Sequence, residues 1–437
     1  MLPGPFHRVH RSRPLQLVAD LPPGADPRPR CHAVEVACEG SATVVAGFTD
    51  GAHRIEGWHD LETGHTGLDL VDADGVRTTH RSRRSGRSPH SAVRVGVTVT
   101  GDQATVLTHD GRAWTARARA PLPAELGDAL RVHSNAAIRA QGRFGQLGVR
   151  DLHLVTHDDG TPFTRDGWAF LTLTHAGPGF FGTAHCGVWA FDPLSHRLEH
   201  RATLWFERDG AVHGDHAVHL VRHRDRWLLA TSTWGDFDHD DVGIAWGSSE
   251  ADLLAGEHVV PTVPLDLDDA VRGVGAWDPH LTLIDGHWHL ALVVASEFFV
   301  FGPALLRARR PDALSDWELL GEAEGRTASE GTQILRLDDE WRVLASDGPD
   351  SAPALRRRFP VFDLTMREVG TLVALYPSNL PWPTLLEVDD GWLMLTFDGT
   401  PTAGRVAGYG THGDFLVLST NPARARARAG SGAGELL

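Results

Sequence analysis

The sequence predicts an all-β protein, an N-terminal β-sandwich followed by a five-bladed β-propeller, and three observations carry that reading. Short alternating strands separated by DG, TG and ADG turns run through residues 31–120 with no helical stripe. From about residue 150 to 395 one pattern recurs five times: a polar start, an apolar strand, a turn, and a second strand that carries a tryptophan. Those tryptophans are Trp168, Trp227, Trp288, Trp341 and Trp392, spaced by 59, 61, 53 and 51 residues. Such a period of short antiparallel strands is what a propeller needs, because each blade covers its faces by stacking on its neighbours.

Taken in order, residues 1–30 are rich in Pro and Arg and lack periodicity, which predicts an arm that packs irregularly or is partly mobile. Residues 31–120 supply the sandwich strands HAVEVAC, ATVVAGFT, HRIEGWHD, GLDLVDADG, VRVGVTVTG, QATVLTHDG and RAWTARARA. Between the last of these and the repeats, 121–146 form a connector with the one early segment that reads as helical. The propeller spans 147–420, where HLTLIDGHWHLALVVA and LLEVDDGWLMLTFDG share one grammar of apolar strand, tight turn and apolar strand. GDFLVLST offers a late strand, and 421–437 read as a mobile tail. The HRSRRSGRS segment, with Arg81, Arg83, Arg84 and Arg87, reads as a solvated hairpin tip.

The chain has 437 residues, 41% of them hydrophobic, enough for packed cores in more than one domain. A net charge of −16 argues against nucleic-acid or anionic-membrane partners. All the basic charge is arginine. No stretch approaches 18 uninterrupted apolar residues, and MLPGPFHRVHRSRPLQLVADLPPG lacks the apolar region of a secretory signal, so a soluble cytoplasmic protein is expected. Cys31, Cys38 and Cys186 suit a reduced compartment, and none has metal-type Cys-x-x-Cys spacing.

Four repeats begin with a carboxylate: Asp151 in RDLHLV, Asp215 in GDHAVHLV, Asp278 in WDPHLTLI and Glu330 in SEGTQILRL; the fifth, LPWPTLLEV, has none. Acids at equivalent strand starts converge on a propeller axis. Glycosidic cleavage needs one protonated carboxyl beside the leaving oxygen and one carboxylate that activates water or attacks carbon. A third carboxylate nearby keeps the acid protonated by like-charge repulsion. Glu330, between Ser329 and Gly331, leaves room for a substrate and is the best acid. The plainer reading is that an Asp before a strand caps a turn.

Other polar residues extend the picture. His153 and His280 follow Asp151 and Asp278, and His216 stands beside Asp215; each is a candidate ligand contact or a satisfied structural histidine. His213, His216 and His219 alternate faces on a strand and make a poor zinc set. Asp236, Asp238 and Asp240 alternate in WGDFDHDDVG, but the glycine and glutamate of a calcium loop are missing. Trp189, Trp234, Trp277 and Phe298 sit at strand mouths, placed either to stack on a sugar or to pack between blades.

The segments WDPHLTLIDGHWHLAL and SEGTQILRLDDEWRVLAS resemble the third-blade Asp-Pro pattern and the fourth-blade Glu-Gly-Pro segment of the five-bladed propeller glycoside hydrolases. That clan holds the family 43 arabinofuranosidases and xylosidases and the family 32 fructosidases, and the resemblance spans roughly 150–400. It implies Asp151 as general base, Asp278 as the group that orients and tunes the acid, and Glu330 as general acid. RDLHLV departs from the family's Asp-Pro, and YPSNLPWPT has Asn379 or Trp382 where the family commonly places a histidine. No cofactor and no metal ligand is therefore assigned, the family's central Ca or Na ion included. The first domain is similar to the concanavalin-like and laminin-G-like sandwiches.

The resulting expectation is an intracellular glycoside hydrolase acting on a short glycoside or oligosaccharide, by inversion where acid and base stand about 6.5–9.5 Å apart. His153, Asp215, His216, Trp277, His280, Asn379 and Trp382 are its expected substrate contacts. Two alternatives stay open. One is non-hydrolytic acid/base chemistry (lyase, isomerase or cyclase) on a small metabolite. The other is a non-catalytic carbohydrate-binding propeller, whose acids would be paired with arginines.

Overall fold

Tight turns set the hairpins of the structure, a computed structural model that describes residues 2–21, 30–88, 92–179, 181–237, 242–267, 270–297, 299–400 and 413–424. Asp166-Gly167, Asp209-Gly210 and Asp285-Gly286 all have positive φ at both positions, and each joins strands that pair directly across it. Two-residue turns of this hand match the twist of the flanking strands, and Asp and Gly tolerate that backbone best.

The repeats form five four-stranded antiparallel units. The first is Val149–Leu154, Trp168–His175, His185–Phe191 and Leu198–Arg208; the second is His216–His223, Arg226–Ser232, Ile244–Ser249 and Gly256–Pro264. Gly275–Ile284, His287–Glu297, Val300–Ala308 and Trp317–Glu322 make the third, and Ser329–Leu337, Glu340–Asp347, Phe359–Phe362 and Glu368–Leu372 the fourth. In the fifth, Thr384–Val388, Gly391–Asp398 and Asp414–Ser419 are completed by His7–Ser12 from the other end of the chain. Units one and two are also joined by parallel pairing of their last strands.

Each pair of neighbours shares an apolar core, and the cores close a ring. Leu204 of the first unit packs with Trp227 of the second, and Leu228 of the second with Trp288 of the third. Leu305 meets Val343 between units three and four, Leu344 meets Met394 between four and five, and Phe415 meets Leu171 between five and one. The all-β, propeller-type expectation holds.

Residues 16–146 contribute two further sheets. One is six-stranded, running from Trp114–Pro121 through Gln103–His109, Arg94–Thr100, Cys31–Ala37 and Ile138–Gln146 to Gln16–Val18. The other is five-stranded: Arg131–Ser134, Thr43–Thr49, Arg54–Asp60, Thr66–Val71 and Arg77–His80. Val34, Val97 and Val106 of the first share a core with Val44, Phe48, Ile55 and Leu68 of the second.

Two expectations are corrected. The connector 121–146 holds no helix; Arg131–Ser134 and Ile138–Gln146 are strands, because Ile138–Gln146 finds open ladders on Cys31–Ala37 and Gln16–Val18. Nor is the described part of the arm irregular throughout, since His7–Ser12 closes the fifth unit and Arg11 and Arg13 both bond the Asp414 carboxylate, whereas 22–29 lie outside the described residues. Most of the expected tail, 425–437, lies outside the described residues. Among the described residues no helix is long and apolar enough to cross a membrane.

Candidate active site

The first strands of units one to four share one irregularity. In each, two residues face a single partner residue: Asp151 and Leu152, Ala217 and Val218, Asp278 and Pro279, Gly331 and Thr332. The first residue of each pair is left-handed, with φ of 52°, 54°, 55° and 74°. A bulge of this kind re-aims a side chain, and Asp accepts the conformation more readily than most residues. Asp151 and Asp278 are thus equivalent, whereas Glu330 precedes its bulge and corresponds to Arg150, His216 and Trp277. Asp215 precedes Ala217 by two places and has no counterpart among the acids.

Asp151, Asp278 and Glu330 line one pocket of about 560 Å3, with Arg150, His216, Trp277, Asp350 and Asn379. The Asp278 backbone N–H donates to Ser232 Oγ (2.8 Å), and its carboxylate accepts from the Gly331 N–H (3.1 Å), directly beside Glu330. Gly331 is required there: a Cβ would lie 2.2 Å from the Trp382 ring. Arg150 holds Asp151 (Nε to Oδ2, 3.1 Å) and donates to His216 Nδ1 (3.0 Å), while His216 Nε2 donates to the Phe181 carbonyl (3.1 Å).

Three carboxyls against one cation leave the cluster short of positive charge. Burial, then repulsion from Asp151, pushes the Glu330 carboxyl up to about 8, against the pull of Arg150 and a hydrogen bond from Trp277. Asp278 is raised by burial, then by Glu330 and Asp151. Burial also raises Asp151, but Arg150 and Thr174 oppose it. The cluster therefore retains protons at neutral pH, and Arg150 favours ionisation at Asp151.

Of the expected contacts, His216, Trp277 and Asn379 line the pocket with the three acids, whereas His153, Asp215, His280 and Trp382 do not. Asp215 is fully buried and bidentate with Arg208 (2.6 and 3.0 Å), which also binds Asp236, so it fastens the 234–236 loop instead of meeting a ligand. His153 and His280 directly follow their bulge pairs, two residues past Asp151 and Asp278 and one layer below them. There His219 and His280 stack with centroids 3.7 Å apart, and His153 packs on both rings and on Trp382. Phe298, Asp238 and Asp240 lie outside the described residues.

The axial layer does not fit a Ca or Na ion. Hard cations take oxygen ligands, whereas the layer is chiefly imidazole. His219 Nδ1 and His280 Nδ1 already accept backbone N–H groups of Leu281 and Ile334. Thr384 Oγ1 donates to the Leu152 carbonyl and accepts from Gln333. Among the described residues no group of three or more His, Cys, Asp or Glu is placed to hold a metal ion.

Sequence reasoning missed Arg150, Phe181, Phe237, Phe301 and Asp350 in the pocket lining. The one available signal was Arg150 itself, adjacent to the first-unit acid.

No family model and no curated protein matches the chain. It is similar to several solved structures. A thermostable family-43 glycoside hydrolase is 14% identical over 62% of this chain and 88% of that one, with a TM-score of 0.40. Bacillus subtilis levansucrase in complex with oligosaccharides is 9% identical over 62% and 83%, with a TM-score of 0.42. A family 117 glycoside hydrolase produced by the marine bacterium Zobellia galactanivorans is 10% identical over 63% and 91%, with a TM-score of 0.40. At these scores the likeness carries no argument about activity, which rests on the pocket.

Proposed function

We propose that the protein is a glycoside hydrolase working by carboxylate acid/base catalysis. The five units are read as blades of one five-bladed propeller, with 16–146 as an accessory β-sandwich. The observation that carries the reading is the convergence of Asp151, Asp278 and Glu330 in one pocket around a single arginine.

Protonated Glu330 gives its proton to the glycosidic oxygen as the bond to the anomeric carbon breaks. Asp151, whose ionisation Arg150 favours, takes a proton from the water that attacks that carbon, so the sugar gains a hydroxyl with inversion and the leaving group departs as an alcohol. Asp278, bonded to the Gly331 N–H, orients the Glu330 backbone, while burial and repulsion from Asp151 keep the acid protonated. The reading includes a short glycoside as substrate and a reducing, cytoplasmic setting, which the unpaired Cys31, Cys38 and Cys186 suit.

The test is hydrolysis of a panel of aryl furanosides and pyranosides by the full chain. Glu330→Gln and Asp151→Asn should each lower kcat/KM at least about 100-fold with the fold retained. Turnover of no member, or turnover indifferent to both changes, would sink the reading. The pocket would then pass to non-hydrolytic acid/base chemistry on a small metabolite.

A further inference from the structure

The pocket wall is divided by chemistry. Units four, five and one bring Glu330, Asp350, Asn379, Asp151 and Arg150. Among the described residues, units two and three add His216 and Asp278 and an otherwise apolar wall: Trp234, Phe237 and Val242 come from the second, and Val274, Trp277 and Phe301 from the third. Its rings form a continuous arc, with centroids 5.3 Å apart for Trp234 and Phe237, 5.5 Å for Trp234 and Trp277, and 5.3 Å for Trp277 and Phe301. The arc begins at the acid, since Trp277 donates its indole N–H to Glu330. It ends at a rim where Phe299 is 79% and Val274 53% exposed.

A general acid touches the leaving oxygen, so the surface continuing from Glu330 away from Asp151 receives the leaving group. A sugar there would need partners for three or four hydroxyls, and each buried without one is costly. Beyond the Trp277 indole, already committed to Glu330, the arc's side chains offer one donor, the Trp234 N–H. Among the described lining residues the one imidazole, His216, uses both ring nitrogens on Arg150 and Phe181. Resting on the hydrolase reading above, we infer that the leaving group is an apolar aglycone, an alkyl, terpenoid or aryl alcohol, and that sugar recognition is confined to the polar wall. The excess of carboxylates there disfavours anionic glycones.

The experiment uses the sugar that the panel identifies, presented as a series of alkyl glycosides from methyl to octyl, whose leaving groups are similar in basicity, beside a disaccharide of that sugar. Each methylene that enters the arc should raise kcat/KM about threefold, for a gain of at least about 30-fold from methyl to octyl. The octyl glycoside should also outpace the disaccharide. Phe301→Ala should flatten this slope. Phe299→Ser, at a rim position whose exposure spares folding, should flatten it partly for the longest chains. A flat series, or a disaccharide turned over at least tenfold faster, overturns the aglycone assignment and leaves the hydrolase standing. No turnover of any glycoside overturns both.

Discussion

Glu330→Gln should separate stability from activity, and the pH dependence of the effect tests the acid assignment directly. In the folded protein Glu330 holds its proton up to about 8, whereas the ordinary value of the group is 4.5. Below 4.5 the carboxyl is protonated in both states, and whatever stability it contributes is fully present. As pH rises the unfolded chain loses that proton first, so stability falls, and the contribution is gone once pH passes about 8. The full span corresponds to about 5 kcal/mol. The amide of the Glu330→Gln variant would be neutral throughout and could still accept the Trp277 N–H. Urea unfolding of both proteins at pH 5 and pH 8.5 checks this. Glu330→Gln should gain about 2–5 kcal/mol over wild type at pH 8.5 relative to their difference at pH 5, as catalysis is lost. Relief of the like charge on Asp278 acts in the same direction. A pH-independent difference, or one of opposite sign, would refute a buried, protonated Glu330.

In wild type, kcat/KM should fall about tenfold per pH unit above about 8 as Glu330 ionises; a profile flat to pH 10 would exclude Glu330 as the acid. Gly331→Ala must fit a Cβ against Trp382 at a φ of 74°, and should cost about 2–4 kcal/mol in urea unfolding, an unchanged midpoint counting against the packing described. Arg208→Met leaves the Asp215 carboxylate buried with only the Gly235 N–H, and should cost about 3–5 kcal/mol; a loss under about 1 kcal/mol would mean the pair is not structural. Truncation of residues 1–13 strips the outer strand from the fifth unit and bares the Asp414–Ser419 edge. The unfolding midpoint should drop and light scattering should rise, and a truncated chain as stable as the full one would refute closure by the N terminus.

The repeat was legible because its signals are local. Asp-Gly turns specify their own hairpins, and a tryptophan in each second strand marks the faces that stack, as Trp227 and Trp288 do in the shared cores. That Asp151, Asp278 and Glu330 would come together was legible for a related reason: each lies near the start of its unit's first strand, and all three line one pocket. The assumption of one shared position was what failed. A bulge shifts register by one residue, so Glu330 aligns with Arg150 and Trp277, although all of them reach the same pocket. His153 and His280 were misassigned because two residues along a first strand is one layer deeper, not one step sideways. Asp215 was misassigned because its partner, Arg208, lies on a strand of the neighbouring unit.

By itself the sequence determined what short-range chemistry decides: an all-β chain, turns at Asp-Gly, five similar units and carboxylates at strand starts. Tertiary structure decided everything that joins residues far apart in the chain. His7–Ser12 completes a unit whose other strands lie at the opposite end of the chain, the supposed connector helix is drawn into open strand ladders, and an aromatic wall is assembled from two units beside the acid. Turn propensity is a property of neighbouring residues, whereas ladder pairing, burial and the repulsion among Asp151, Asp278 and Glu330 come into being only when the ring of units closes.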